Sequence, residues 1–149
     1  QIAPDILASA SELDADSRKK VGKHTELGAM AVASIRNALG QDPSRSDPDT
    51  ARFLAVLEDV ARSHHECWDG SGYPEGKSGR AISPEARVVA IIDSWDSLTS
   101  ERPWRPAMTQ DQALDVIRLG AGSRFDPTLA ELFLDVVKKQ PPNEPEFQA

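Results

Sequence analysis

The chain reads as an all-α domain, a helical bundle of about five or more helices with one long loop rich in glycine and proline. Three observations predict this: apolar residues recur at helical spacing in successive segments, several segments open on a capping residue, and no alternating strand pattern exceeds a few residues. At 149 residues the chain is long enough to bury a core as a single domain. No internal repeat stands out.

The elements follow in order. Between Asp16 and Leu39, Val21, Leu27, Gly28, Ala31 and Ile35 recur at helical spacing, and His24 falls on that stripe, so it is expected to face inward. Gly40 stops this helix, and a polar loop runs from Gln41 to Asp49, where Asp47 and Pro48 are placed as N-cap and first helical residue. The next helix carries Phe53, Leu54, Leu57, Val60 and Ala61, and a further step of the same period reaches His64. Cys67 to Ile82 forms the long loop, with Gly70, Gly72, Gly76 and Gly79. Ser83-Pro84-Glu85 opens a helix to about Thr99, on which Asp93 and Asp96 lie three residues apart on neighbouring parts of one face. Thr109 and Gln112 have capping-box spacing for a helix closed by Gly120. Asp126-Pro127 starts the last helix, with Leu129, Leu132, Phe133, Val136 and Val137, and residues 141–149 read as a disordered tail.

Composition narrows the function. The formal charge of −7 opposes binding to a nucleic-acid polymer, so a small anionic ligand would need a local basic patch. The longest purely apolar runs, Val88 to Ile92 among them, fall far short of the roughly 20 residues of a spanning helix. The single cysteine, Cys67, excludes an internal disulfide and suits a reducing compartment, which favours the cytoplasm. Gln1 opens the chain without a secretory signature, as in a piece of a longer protein.

All three histidines, His24, His64 and His65, fall at places expected to face inward or beside such a place. Burying several imidazoles costs free energy unless each finds a partner, and a shared divalent cation satisfies them together. The alternative is a set of structural histidines, each bonded to a carbonyl. Asp93 sits on a small-sided strip with Ala86, Ala90 and Ser97, so a neighbouring helix can approach its carboxylate; a helix cap or an ion pair with Arg87 or Arg62 is the alternative. Cys67, beside Trp68 and with no basic activator, reads as packing and not as a nucleophile.

The run His64-His65-Glu66, Trp68-Asp69-Gly70, Gly72-Tyr73-Pro74 resembles the HD-GYP domain, a subgroup of the HD metal-dependent phosphohydrolases of bacterial signalling. Residues 93–105, from Asp93 to Arg105, are similar to that family's "DxxDALTSDRPYR" segment, and Gly122 to Pro127 to its "GTxFDP". His24 resembles the lone histidine that precedes the pair. Residues 1–140 thus read as the C-terminal part of such a domain. The chain has no His-Asp dipeptide, and Gln1 to Leu7 resembles the segment following that pair, so the pair either precedes Gln1 or is missing. Ser97, Glu101 and Trp104 replace the family's usual Ala, Asp and Tyr without removing a ligand.

The resemblance implies hydrolysis of cyclic di-GMP to pGpG or GMP with two or three divalent ions, iron or manganese. His24, His64, His65 and Asp93 would be metal ligands. Arg102 and Arg105 would hold ligand phosphates, Tyr73 would line the ligand pocket, and Asp96 would assist nearby. No side chain beyond the metal ligands is needed for catalysis, because water, its pKa lowered by the cations, attacks the phosphodiester. The alternatives are a catalytically incomplete module that binds ligand or a GGDEF-type partner, with a sensor or receiver domain upstream, and a helical interaction domain with purely structural histidines.

Overall fold

A computed structural model describes residues 15–41, 47–102 and 105–139. The motif at Gln1 to Leu7, the residue Trp104 and the tail 141–149 lie outside them. Among the described residues there are five α-helices: α1 Ala15–Gly40, α2 Pro48–Ser63, α3 Pro84–Thr99, α4 Gln110–Leu119 and α5 Pro127–Lys139. A short 3-10 turn, Gly79–Ala81, interrupts the long loop, and two isolated β-bridges are the extended pairing among the described residues. The fold is all-α, as the periodicity predicts.

The helices begin where the caps place them. The Asp47 carboxylate accepts from the Thr50 amide at 2.8 Å, the Ser83 hydroxyl accepts from the Ala86 amide at 3.3 Å, and Thr109 and Gln112 form the reciprocal capping box. Asp126 accepts from the amides of Thr128 at 2.9 Å and Leu129 at 3.2 Å.

α1 packs along α2, α2 against α3, and α3, α4 and α5 against one another. The main core lies among the last three, where Ile91, Leu114, Ile117, Phe125, Ala130 and Leu134 are buried. A buried ion pair between Arg87 and Asp126, 2.5 Å apart, ties α3 to the start of α5.

The inward faces differ from the apolar stripes. On α1, Leu27 and Ile35 are each 53% exposed and Ala31 is exposed, whereas Thr25 and Ala29 are fully buried. Close approach to α2 selects small residues there: a Cβ on Gly28 would meet the Ala61 Cβ at 3.6 Å. Thr25 tolerates burial because its hydroxyl donates to the Gly22 carbonyl at 2.8 Å. Phe53 and Leu57 on α2 likewise turn outward while Leu54 and Ser63 are buried, and on α5 Leu132 and Val136 are exposed while Ala130 and Leu134 face the core. Among the described residues no helix is long and apolar enough to cross a membrane.

Candidate metal centre

α2 ends at Ser63, and this termination places the two adjacent histidines. The His64 amide donates to the Val60 carbonyl at 3.0 Å, and His64 Nδ1 lies 2.9 Å from the same oxygen. A carbonyl oxygen can only accept, so Nδ1 carries a proton, which leaves Nε2 as the nitrogen turned toward the other rings. His24 arrives from α1, its Nε2 3.5 Å from His64 Nε2 and 3.1 Å from His65 Nε2. The ligand nitrogens of all three half-buried rings lie within 4.8 Å of one another.

This donor set fits a divalent cation. The His24 Nε2 faces two ring nitrogens at once, and one ring proton can serve only one of them well; a cation would satisfy all three. Burial first, then the charges of His64, His24 and Arg124, push the His65 imidazole down to about 3. It is therefore neutral at pH 7, the form that can ligate a metal.

The loop after α2 folds back over these rings. The Tyr73 amide donates to the His65 carbonyl at 3.2 Å, and its ring lies 5.0 Å from the His65 ring, centre to centre. The Tyr73 ring also lies close to Gly22 of α1, where an added Cβ would lie 3.3 Å from its Cδ2. Burial raises the phenol pKa; Arg124 opposes this, and Asp93 and Cys67 add to it. Gly72 has no space for a side chain at all, since a Cβ would fall 2.3 Å from the Cys67 nitrogen and 2.5 Å from the His65 oxygen. Gly70 turns the loop at φ +86, a conformation that favours glycine. The following limb is backed by the segment before α5: the Trp68 amide donates to the Arg124 carbonyl at 3.2 Å and the Asp69 amide to the Ser123 carbonyl at 2.8 Å.

The other expected site residues stand differently. Asp93 is exposed on α3 and is not in the converging group, although its charge acts on the Tyr73 phenol. Arg87, its alternative ion-pair partner, is paired with Asp126 instead. Asp96 is exposed and lies 3.5 Å from Arg102. Arg105 donates to the carbonyls of Leu98 at 3.2 Å and Ser97 at 2.5 Å, which caps the C-terminal end of α3. Arg102 and Arg105 also exchange backbone hydrogen bonds of 2.9 and 3.0 Å. Cys67 is a half-buried free thiol.

The residue missed in the sequence is Arg124. Its charge acts on both His65 and Tyr73, and its guanidinium lies 5.3 Å from the centre of the Phe125 ring. Its place within the Gly122 to Pro127 motif was visible, but nothing in chain order brings it to residues some fifty or sixty positions earlier. Gly22 was missed for the same reason.

Fold and site together define an all-α domain built around a histidine cluster of metal-binding kind. The HD domain family model matches residues 4–129, and the chain belongs to that family of metal-dependent phosphohydrolases. It is 36% identical over 138 residues to a cyclic di-GMP phosphodiesterase of Vibrio cholerae serotype O1, covering 93% of this chain and 26% of that protein. It is 34% identical over 133 residues to the cyclic di-GMP phosphodiesterase response regulator RpfG of Xanthomonas campestris pv. campestris, covering 89% of this chain and 32% of that one. With the 3'3'-cGAMP-specific phosphodiesterase 2 of Vibrio cholerae the identity is 31% over 134 residues, covering 90% and 23%. The chain thus spans about a quarter to a third of these relatives.

Proposed function

We propose that this domain hydrolyses a cyclic dinucleotide, cyclic di-GMP, to pGpG or GMP in bacterial second-messenger signalling. The observation that carries the reading is the convergence of His24, His64 and His65 through their Nε2 atoms beneath Tyr73. The names of the relatives supply the substrate class.

In this reading His24, His64 and His65 contribute ligands to a centre of two or three divalent ions, with Asp93 as a further, carboxylate ligand; iron or manganese is what the resemblance to the HD-GYP domain implies. When bound, such ions supply Lewis-acid polarisation of the phosphodiester and activation of water. Neutral His65 offers its lone pair without first losing a proton. Tyr73 lines the ligand pocket beside His65, and its raised phenol stays protonated as a hydrogen-bond donor. Arg124, Arg102 and Arg105 supply the positive charge that phosphates need in an acidic chain, and Asp96 holds Arg102. The domain works in the cytoplasm under an upstream sensor or receiver domain.

The test is incubation of the protein with cyclic di-GMP and Mn²⁺ or Fe²⁺, with products separated by chromatography. Linear pGpG or GMP should form and should be lost in His65→Ala. A folded, metal-loaded protein that leaves the dinucleotide intact contradicts the reading. A second reading is favoured by the exposure of Asp93 outside the converging donor group: a module that binds the ligand or a GGDEF-type partner without turnover. Binding of either with no product selects it.

A further inference from the structure

Glu66 follows the histidine pair directly and has no part in the converging donor group, yet it is only 3% exposed. Both carboxylate oxygens are engaged by one loop: Oε1 accepts from the Glu75 amide at 2.7 Å and Oε2 from the Lys77 amide at 3.1 Å. Lys77 Nζ in turn lies 3.2 Å from Glu75 and 3.4 Å from the buried Ser63 hydroxyl. The near limb of the same loop is held by His65, whose carbonyl accepts from the Tyr73 amide. Adjacent residues, His65 and Glu66, therefore grip the two limbs of the loop that lays Tyr73 against the His65 ring.

From this we infer that Glu66 is a positioning residue that seats Tyr73 over the histidine cluster by clasping the amides of Glu75 and Lys77. A carboxylate is required because two amide donors converge on it from one side. Glutamine has the same shape but only one acceptor oxygen, so Glu66→Gln sets an NH2 group against an amide N–H. Its own oxygens being turned to the loop, Glu66 acts through Tyr73.

Tyr73 is the chain's single tyrosine, so its ring signals in NMR are unambiguous. In the metal-free protein a nuclear Overhauser contact between the Tyr73 and His65 rings is expected and should vanish in Glu66→Gln, with amide exchange at Glu75 and Lys77 at least about tenfold faster, the change expected from one lost hydrogen bond to a charged group. Metal content should match the parent. A retained ring contact with unchanged exchange overturns the inference, as does loss of metal equal to that in His65→Ala. Should the variant not fold, exchange in the unsubstituted protein decides: amides of Tyr73, Glu75 and Lys77 should open as one unit, and independent opening overturns it. The steady-state arm rests on the proposed hydrolysis: KM should rise about tenfold with kcat preserved, and Tyr73→Ala should add little on the Glu66→Gln background. Equal falls in kcat with unchanged KM, or full additivity, overturn the inference, while a parent without turnover fails the functional reading alone and leaves the NMR test standing.

Discussion

Gly72→Ala is a single methyl group placed where the backbone leaves no room. Its Cβ would lie 2.3 Å from the Cys67 nitrogen, 2.5 Å from the His65 oxygen and 2.6 Å from the Glu66 carbonyl carbon. Ordinary contacts between such atoms are about 3.5 Å, so roughly 1 Å must be recovered, and no side-chain rotation can supply it. The loop has to lift, which endangers the Tyr73 bond to His65 and the bonds of Glu75 and Lys77 to Glu66. At about 1 kcal/mol net for the first, and somewhat more for the two whose acceptor is charged, the loss is about 3–5 kcal/mol. For a domain of this size that corresponds to a fall in Tm of about 5–15 °C. Calorimetry with Gly40→Ala in parallel provides the control, because nothing lies within 4 Å of a Cβ there. A Gly72→Ala protein that melts with the control and keeps Tyr73 against His65 would refute the reasoning.

Removing one partner of the buried pair by Arg87→Met leaves Asp126 charged and enclosed, and should cost about 3–5 kcal/mol in urea unfolding; a midpoint near that of the parent contradicts the assignment. For Asp126, burial works to raise the carboxyl pKa, but the Arg87 bond and the Leu129 and Thr128 amides outweigh it and hold the group below 3.8. The stability it contributes is therefore present above the unfolded value and lost as pH falls through the folded one. For His65, with a folded value of about 3 against 6.5, the unfolded chain binds the proton first, so metal-free stability should decline as pH falls from 6.5 to about 3. His65→Gln should flatten that decline, and an unchanged slope would show that His65 is not depressed. Arg124→Ala should raise the His65 pKa in an NMR titration and, if the proposed hydrolysis holds, raise KM for the dinucleotide about tenfold, as for loss of one charge-assisted contact; no movement in either contradicts the role proposed for Arg124.

The helix starts were legible because a cap is local chemistry: Asp47, Ser83, Thr109 with Gln112, and Asp126 each bond to an amide two or three residues on. The buried faces were less so. Apolarity suggested Leu27, Ile35, Phe53 and Leu132, but the distance between helix axes selected Thr25, Ala29 and Ala130, which are small or bonded to their own helix. The meeting of His24 with His64 and His65 was legible from helical period and motif resemblance. Asp93 shows the limit of that reasoning, since a small-sided strip does not fix which way its carboxylate faces. Arg124, Gly22 and the clasp at Glu66 depend on how a loop folds back on distant backbone, which no local spacing encodes.

Metal content is the measurement closest to the central claim. Parent protein and His24→Ala, His64→Ala and His65→Ala variants, each shown to be folded, would be equilibrated with Mn²⁺, desalted and assayed by elemental analysis and electron paramagnetic resonance. The account predicts bound manganese in the parent and its loss in each variant, because the three rings share one focus. Equal manganese in the parent and all three variants would contradict it.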